Sequence, residues 1–380
     1  MMWLSGMKGS IAVTILMMMV SIFVHDLVRC AAPIEQPVPP PPAIFVFGDG
    51  TMDIGNNNDL TGGEMGDPPR ANHPYYGIDF PGEPQNTNGR FSNGYNIADF
   101  IAKALGFVMS PPADASLANP SPTRIEGFTG VNYASADAGI RDSTNGNMTI
   151  PLPMQVNNFV ETRAQLKAVL GGRKPLNKFL SKSLFLIGVG TMDLLPNCNF
   201  YLELFPINDN KTEVQRLIEF YGADLEKLHS MGARKFAIIN VGPIGCSPFV
   251  QNDPARNGGC DDGMNRLAGE FNAALGSLLS DLGTRLHNFR YTLADFYGFS
   301  NATFVNPLAS GFTNIDTACC PGACAPTHSY WAPCYNRPEY WFWDEGYTTE
   351  QADKLAAVAF YNGTVFARPV NIRRLIAMKG

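Results

Sequence analysis

The residues that are most suited by type and position to take part in a reaction lie in a turn after the apolar run Ile44–Phe47. The run is partly β-branched, as in a strand that is buried on both faces. It ends at Gly48, Asp49 and Gly50, and a polar segment rich in glycine and asparagine follows. Open α/β sheets carry their reactive groups beyond the carboxyl ends of the strands. We therefore expect the functional site at this turn.

The sequence around this turn, AIFVFGDGTMDIGNNN at residues 43–58, strongly resembles block one of the GDSL-type lipases and esterases, a family of the SGNH hydrolases. The segments Pro74–Gly82 and Gly89–Gly94 resemble the plant members, and Val241–Cys246 is another close match. The resemblance covers about residues 43 to 365. It implies hydrolysis of carboxylic and lipid esters by an activated serine, a histidine base, an orienting aspartate and oxyanion donors.

Two positions of that machinery carry residues that cannot perform the family's roles. Gly50 stands where the family has its nucleophilic serine, and glycine has no side chain that could be acylated. In the segment FWDEGYTTE the aspartate is retained as Asp344, but Tyr347 stands where the histidine belongs. A phenol with a pKa of about 10 is mostly protonated at neutral pH and cannot take a proton from a hydroxyl. Asp344 is then left to accept a hydrogen bond from Tyr347 or to cap the last helix.

The two oxyanion positions are also changed. The family's G-x-N-D appears as Gly190–Asp193, with Met192 in place of the asparagine donor. A thioether donates no hydrogen bond, and losing one such donor costs about a hundred- to a thousandfold in rate. In block two, Asp137 replaces the catalytic glycine, and its carboxylate would repel a developing oxyanion.

These four replacements predict a pseudoenzyme that binds an acyl ester, a cell-wall polymer or a protein partner through the inherited cleft. Losing serine and histidine together removes roughly a millionfold of rate. The alternative is an active ester hydrolase that uses a non-serine route, with a water activated by Asp344 or Asp137. We expect no cofactor and no metal. A net charge of −6 and the lack of a basic run argue against a nucleic-acid partner.

Strands alternating with helices predict a three-layer α/β/α sandwich, similar to the flavodoxin-like SGNH hydrolases, with five mostly parallel strands. The predicted strands are Ile44–Phe47, Gly130–Ser135, Ser183–Val189, Lys235–Asn240 and Phe289–Ala294. The domain is expected to span residues 43–368, followed by a loose C-terminal tail at residues 369–380. The asparagines Asn56, Asn57 and Asn58 are expected to hold the first turn through side-chain to backbone hydrogen bonds rather than to bind a metal.

The amino terminus predicts secretion. Residues 1–31 resemble a signal peptide, because Lys8 precedes the apolar segment Ile11–Val24, which is shorter than the roughly 20 residues that span a bilayer. An uncleaved anchor is the alternative, and a proline-rich linker at residues 32–42 follows. No transmembrane anchor is expected once the signal is removed. The sequence also carries N-glycosylation sequons, at Asn147, Asn210, Asn301 and Asn362.

The cysteines are consistent with an oxidising compartment. Of the 8 cysteines, Cys30 is expected to leave with the signal, and Cys198 is the candidate odd thiol. Cys246 and Cys260 flank one loop and could pair. Disulfides are also expected in the turn-rich segment that holds four cysteines, namely Cys319, Cys320, Cys324 and Cys334. A zinc site in this segment, with His328 nearby, is the competing interpretation.

Overall fold

The computed structural model describes residues 38–62, 66–82, 89–117, 127–195, 210–252, 258–322, 324 and 332–379. The expected signal peptide, Cys198 and His328 lie outside these ranges. Across the ranges, every helix is too short or too polar to serve as a membrane span.

The strands confirm the predicted α/β class. They are β1 (Ile44–Gly48), β2 (Gly130–Asn132), β3 (Leu184–Gly188), β4 (Lys235–Ile239), β5 (Arg290–Ala294), β6 (Asn314–Ala318), β7 (Tyr340–Phe342) and β8 (Ala367–Arg368). The main sheet has the order β2-β1-β3-β4-β5-β8, and β6 and β7 form a separate pair. All neighbours in the main sheet are parallel except β8, which is antiparallel to β5.

The prediction of five strands is therefore wrong by one. The sixth strand, β8, pairs Ala367 with Ala294 and Arg368 with Leu293. Two residues are too few to show the alternation by which a strand is recognised in a sequence.

Helices cover the sheet and supply its core. They are α1 (Ile97–Ala104), α2 (Leu152–Val169), α3 (Arg173–Leu180), α4 (Thr191–Leu194), α5 (Asn210–Met231), α6 (Pro248–Gln251), α7 (Asp262–Arg285), α8 (Phe296–Val305), α9 (Glu350–Tyr361) and α10 (Ile372–Ala377). Alternate strand residues such as Phe45, Phe185 and Phe236 join one large core with residues of α2, α5 and α7. The intervening strand residues face the other side of the sheet, because successive side chains of a strand point to opposite faces.

The C-terminal tail is packed, which corrects the expectation that residues 369–380 are loose. Asn371 caps α10 by accepting a hydrogen bond from the N–H of Arg374. Ile372, Leu375 and Ile376 are buried, and α10 contacts β4 and β5. Their i, i+3, i+4 spacing is that of a helix with one apolar face, although the segment is only six residues long.

Three disulfides join cysteines of the described residues. Cys246 pairs with Cys260 as expected, and the crowded segment forms the pairs Cys319–Cys334 and Cys320–Cys324. The zinc interpretation of this segment is wrong, because its four sulfurs form two disulfides and none is left as a thiolate ligand. The N–H groups of Cys319 and Cys320 also donate to the carbonyls of Phe342 and Trp343, just before Asp344. The disulfide segment thus fixes the chain that leads into the candidate site.

We predict that Leu375→Ala lowers the free energy of unfolding by about 2–4 kcal/mol, because it leaves a cavity under a fully buried side chain. Equilibrium unfolding in urea measures the change, with Lys379→Ala on the exposed end of the chain as the control. A loss below about 0.5 kcal/mol, as is usual for surface substitutions, would show that the tail is not part of the core.

Candidate active site

Tyr347 occupies the space that a side chain at position 50 would need. Gly50 follows β1, and Tyr347 lies in the loop between β7 and α9. A Cβ atom built on Gly50 would lie 2.6 Å from Cε1 of Tyr347 and still closer to Cζ and Oη. A serine at position 50 therefore cannot coexist with the tyrosine in this position.

Asp137 holds the tyrosine hydroxyl in place. Tyr347 Oη donates a hydrogen bond to Asp137 Oδ1 over 2.9 Å. Asp137 itself has a φ of 58°, in the left-handed region that glycine adopts most easily. Burial raises the pKa of the Asp137 carboxyl. Burial, followed by the negative charge of Asp137, raises the pKa of the Tyr347 phenol well above its usual value. The phenol therefore stays protonated as a donor and cannot act as a base.

Asp344 orients a main-chain turn and a second tyrosine. Its Oδ1 accepts hydrogen bonds from the N–H groups of Gly346 and Tyr347 over 2.9 and 2.7 Å. Its Oδ2 accepts from the hydroxyl of Tyr76 over 2.7 Å. Burial raises the pKa of Asp344 to about 6. Of the two roles expected for Asp344, the hydrogen bond from Tyr347 is present, though through the main chain, while Thr349 caps α9.

Asp49 and Thr51 form a pair that the sequence analysis did not assign to the site. Thr51 donates to Asp49 Oδ1 through both its hydroxyl, over 2.7 Å, and its N–H, over 3.0 Å. Asp49 is buried, and burial raises its pKa to about 6 despite these hydrogen bonds. The carboxyl group next to Gly50 thus already binds the only side-chain hydroxyl of the turn 48–51.

Met192 lies in the first turn of α4 and packs against the main core, so an apolar side chain occupies the position where the resemblance implies an asparagine donor. Its neighbour Asp193 is buried and accepts hydrogen bonds from the N–H of Ile140 over 2.8 Å and the hydroxyl of Thr144 over 2.7 Å. Asp193 therefore ties α4 to the loop after β2, independently of any chemistry at Met192.

Asn56 and Asn57 make side-chain to main-chain hydrogen bonds, as expected, but these reach the loop after β2 rather than their own turn. The Oδ1 atom of Asn58 is buried without a partner among the described residues. Asn56 Nδ2 donates to the carbonyls of Asn132 and Ala134 over 2.9 and 2.8 Å. Asn57 Nδ2 donates to the carbonyl of Ala136 over 3.1 Å. The polar framework that positions Asp137 beside Gly50 is therefore complete.

A cavity of about 300 Å³ opens beside this cluster. Asp49, Asp137 and Tyr347 contribute to its wall. Most of the remaining wall is apolar and includes Val189, Leu195, Ile239, Ile244, Phe249, Phe296, Phe304 and Trp341. Pockets for small molecules begin at about this volume and are mostly apolar with a few polar groups. Within the described ranges, no group of three His, Cys, Asp or Glu residues is arranged to hold a metal ion.

We predict that Gly50→Ser lowers the free energy of unfolding by about 1–3 kcal/mol, because the new side chain overlaps the Tyr347 ring. In a Tyr347→Ala background the same substitution should cost at least about 1 kcal/mol less, since two residues in contact do not contribute independently. Urea unfolding of the four proteins of this cycle measures the coupling. Gly346→Ser is the control, because a Cβ there meets no atom within 4 Å. An equal loss of unfolding free energy in both backgrounds would contradict the contact between position 50 and the Tyr347 ring.

We also predict that Asp49→Asn stabilises the protein in a pH-dependent way. The folded-state pKa of Asp49 is raised from 3.8 to about 6, so its protonation stabilises the fold below about pH 4 and this contribution is lost as the pH rises through 6. The variant should gain on the order of 2–3 kcal/mol at about pH 7.5 and almost nothing at about pH 4. Thermal and urea unfolding at both pH values provide the readout, with exposed Asp316→Asn as the control. A gain that does not change with pH would contradict this.

Comparison with known proteins places this geometry in a family. The family model of the GDSL-like Lipase/Acylhydrolase matches residues 44–360. The GDSL esterase/lipase At1g71691 of Arabidopsis thaliana is 33% identical over 376 residues, which cover 93% of each chain. The GDSL esterase/lipase At5g45670 of the same plant is 35% identical over 353 residues, covering 89% of this chain and 91% of the relative. The chain belongs to the GDSL-like lipase/acylhydrolase family.

Proposed function

We propose that this chain is a pseudoenzyme of its family, which binds an acyl ester in the cavity beside Gly50 without hydrolysing it. The observation that carries the proposal is the position of Tyr347, whose phenol fills the space of the nucleophile's side chain and donates to Asp137. The two residues block the reacting position, while the cavity next to them stays open.

Serine-type ester hydrolysis needs a nucleophile, a base and oxyanion donors, and the side chains at the four matching positions of this chain supply none of them. Gly50 offers no hydroxyl, and the protonated phenol of Tyr347 takes no proton from one. Met192 offers no donor for an oxyanion, and the carboxylate of Asp137 places negative charge where negative charge would develop. Asp344 instead holds the turn at Gly346 and Tyr347, so its retention has a structural explanation.

The apolar wall favours an acyl chain over the other ligands that the sequence suggested. Aromatic and aliphatic side chains such as Phe304, Trp341 and Ile244 line most of the cavity. Burying an apolar chain against them gains roughly 25 cal/mol per Å² of surface removed from water. A cell-wall polymer would need many polar contacts, whereas most hydroxyl and amide groups of this wall are already hydrogen-bonded within the protein.

We further propose that the protein is secreted and glycosylated. The side chains of Asn147, Asn301 and Asn362 belong to exposed residues, where a glycan can be accommodated. The three disulfides are consistent with an oxidising compartment.

The second candidate is ester hydrolysis through a water activated by Asp137. One observation favours Asp137 over Asp344 in this role. Hydrogen bonds from the protein reach both oxygens of Asp344, whereas Asp137 Oδ2 accepts none from the part of the chain that the structure describes. Asp137 also lines the cavity, where an ester would lie.

We predict that the purified protein hydrolyses short- and long-chain p-nitrophenyl esters no faster than buffer. The fourfold variant Gly50→Ser, Asp137→Gly, Met192→Asn and Tyr347→His should gain measurable esterase activity, because it restores the hydroxyl, the base and the donor and removes the blocking ring. Release of p-nitrophenol measures both proteins. The same variant with Gly50 left unchanged is the matched control and should stay inactive.

Turnover by the native chain that Asp137→Asn abolishes would establish the second candidate instead. Turnover that depends on neither Asp137 nor Asp344 would contradict both proposals.

A further inference from the structure

The cavity has acidic side chains at its wall and no basic ones. Its carboxyl groups are those of Asp49, Asp137, Glu345 and Asp353, and no lysine, arginine or histidine is among the residues described around it. An anion entering the cavity would meet like charges with no compensating cation. The cavity is thus unsuited to a ligand with a carboxylate head group.

Two of these acids offer free acceptor atoms. Asp49 accepts hydrogen bonds at Oδ1 from Thr51, and Asp137 accepts at Oδ1 from Tyr347. The Oδ2 atom of each residue accepts no hydrogen bond from any residue in the described ranges. Asp49 is only 4% exposed, so its second oxygen has little contact with bulk solvent. Asp137 is partly exposed, and both residues line the cavity, so a ligand there can supply a donor to either Oδ2 atom.

The donors of the wall are nearly all engaged within the protein. Beside Thr51 and Tyr347, Thr348 donates to Asp353 Oδ1 over 2.6 Å, and Asn240 Nδ2 donates to Asp295 Oδ1 over 2.9 Å. Ser247 and Ser300 donate to main-chain carbonyls over 2.9 and 2.7 Å. Thr191 is the lining hydroxyl without such a bond among the described residues. The indole N–H of Trp341, which also lines the cavity, likewise has no such bond among the described residues. A ligand therefore meets four carboxyl groups beside these two side-chain donors.

We propose that the cavity binds a medium-length apolar chain whose head group donates hydrogen bonds and carries no negative charge, namely a primary alcohol or an amine, and that it rejects the matching carboxylate. The proposal rests on the proposed function, since it assigns the head-group chemistry of a ligand in the same cavity. The head group would donate to Asp137 or Asp49, and the chain would lie along Ile239, Ile244 and Phe304. An acyl ester meets this requirement when its alcohol portion carries a free hydroxyl or amine, and 1-decanol and decylamine are the simplest probes of that head group.

The experiment uses the full purified protein at about pH 7.5, where Asp49, with a pKa of about 6, is ionised. The neutral fluorophore N-phenyl-1-naphthylamine reports occupancy of the cavity, and 1-decanol, decylamine and decanoate compete with it. We expect 1-decanol, decylamine or both to displace the fluorophore at concentrations at least about a hundredfold below those of decanoate. Displacement by decylamine alone assigns a cationic head group, and displacement by 1-decanol assigns a neutral one.

Asp137→Asn identifies the residue responsible. Asparagine tolerates the left-handed backbone of position 137 and still accepts the Tyr347 hydrogen bond, so the variant should fold. We expect it to bring decanoate to within about tenfold of 1-decanol, because the like charge is removed. Exposed Asp316→Asn should change nothing.

The two proposals can fail separately. If Ile244→Trp, which fills the cavity, leaves fluorophore binding unchanged relative to Val305→Trp on the surface, the cavity is not the binding site and the proposed function fails. If the fluorophore binds in the cavity but decanoate competes as well as 1-decanol, the head-group inference is overturned while binding stands.

Discussion

The contact between the Tyr347 ring and Gly50 is the constraint on which the rest of the site depends. The ring leaves no room for a side chain at position 50, so a glycine there is a steric requirement of the tyrosine. The hydroxyl of the same ring donates to Asp137, at the position where the resemblance implies a glycine. The changes at positions 50, 137 and 347 therefore form one physical unit, in which each residue fits the other two. Met192 stands apart, because its side chain joins the main core instead.

The surrounding framework holds the chain around the cavity beside Tyr347 and Asp137. Asn56, Asn57 and Asp193 brace the loop after β2 from two sides, and the disulfide segment fixes the chain before Asp344. Burying the carboxyl groups of Asp49 and Asp344 costs free energy when they are ionised, since burial raises the pKa of each to about 6. If Asp49 and Asp344 had no structural role, replacing them by neutral residues would stabilise the folded protein at neutral pH. Their hydrogen bonds to main-chain N–H groups show that they also fix the geometry of the turns.

The parallel strands could be predicted from the sequence, because continuous apolar runs such as Leu184–Gly188 are typical of strands that are buried on both faces. It was not sufficient for β8 or α10, which are short and are stabilised by their contacts with β5 rather than by a local pattern. The four positions predicted to be replaced could be named from their motifs, but the fit of Tyr347 over Gly50 could not, because it joins residues from opposite ends of the domain. The hydrogen bond from Tyr76 to Asp344 could not be predicted either, because these residues are also far apart in the sequence. Disulfide pairing among Cys319, Cys320, Cys324 and Cys334 also required the structure.

The central claim is that this family member retains a ligand cavity and lacks any group that can form an acyl bond to the chain. Its most direct test is the intact mass of the native protein after incubation with a fluorophosphonate that labels activated serines, or with a p-nitrophenyl ester. The account predicts an unchanged mass for the native protein and a single adduct at position 50 in the fourfold variant. A stoichiometric adduct on the native chain, whether at Thr51 or at any other hydroxyl, would contradict it.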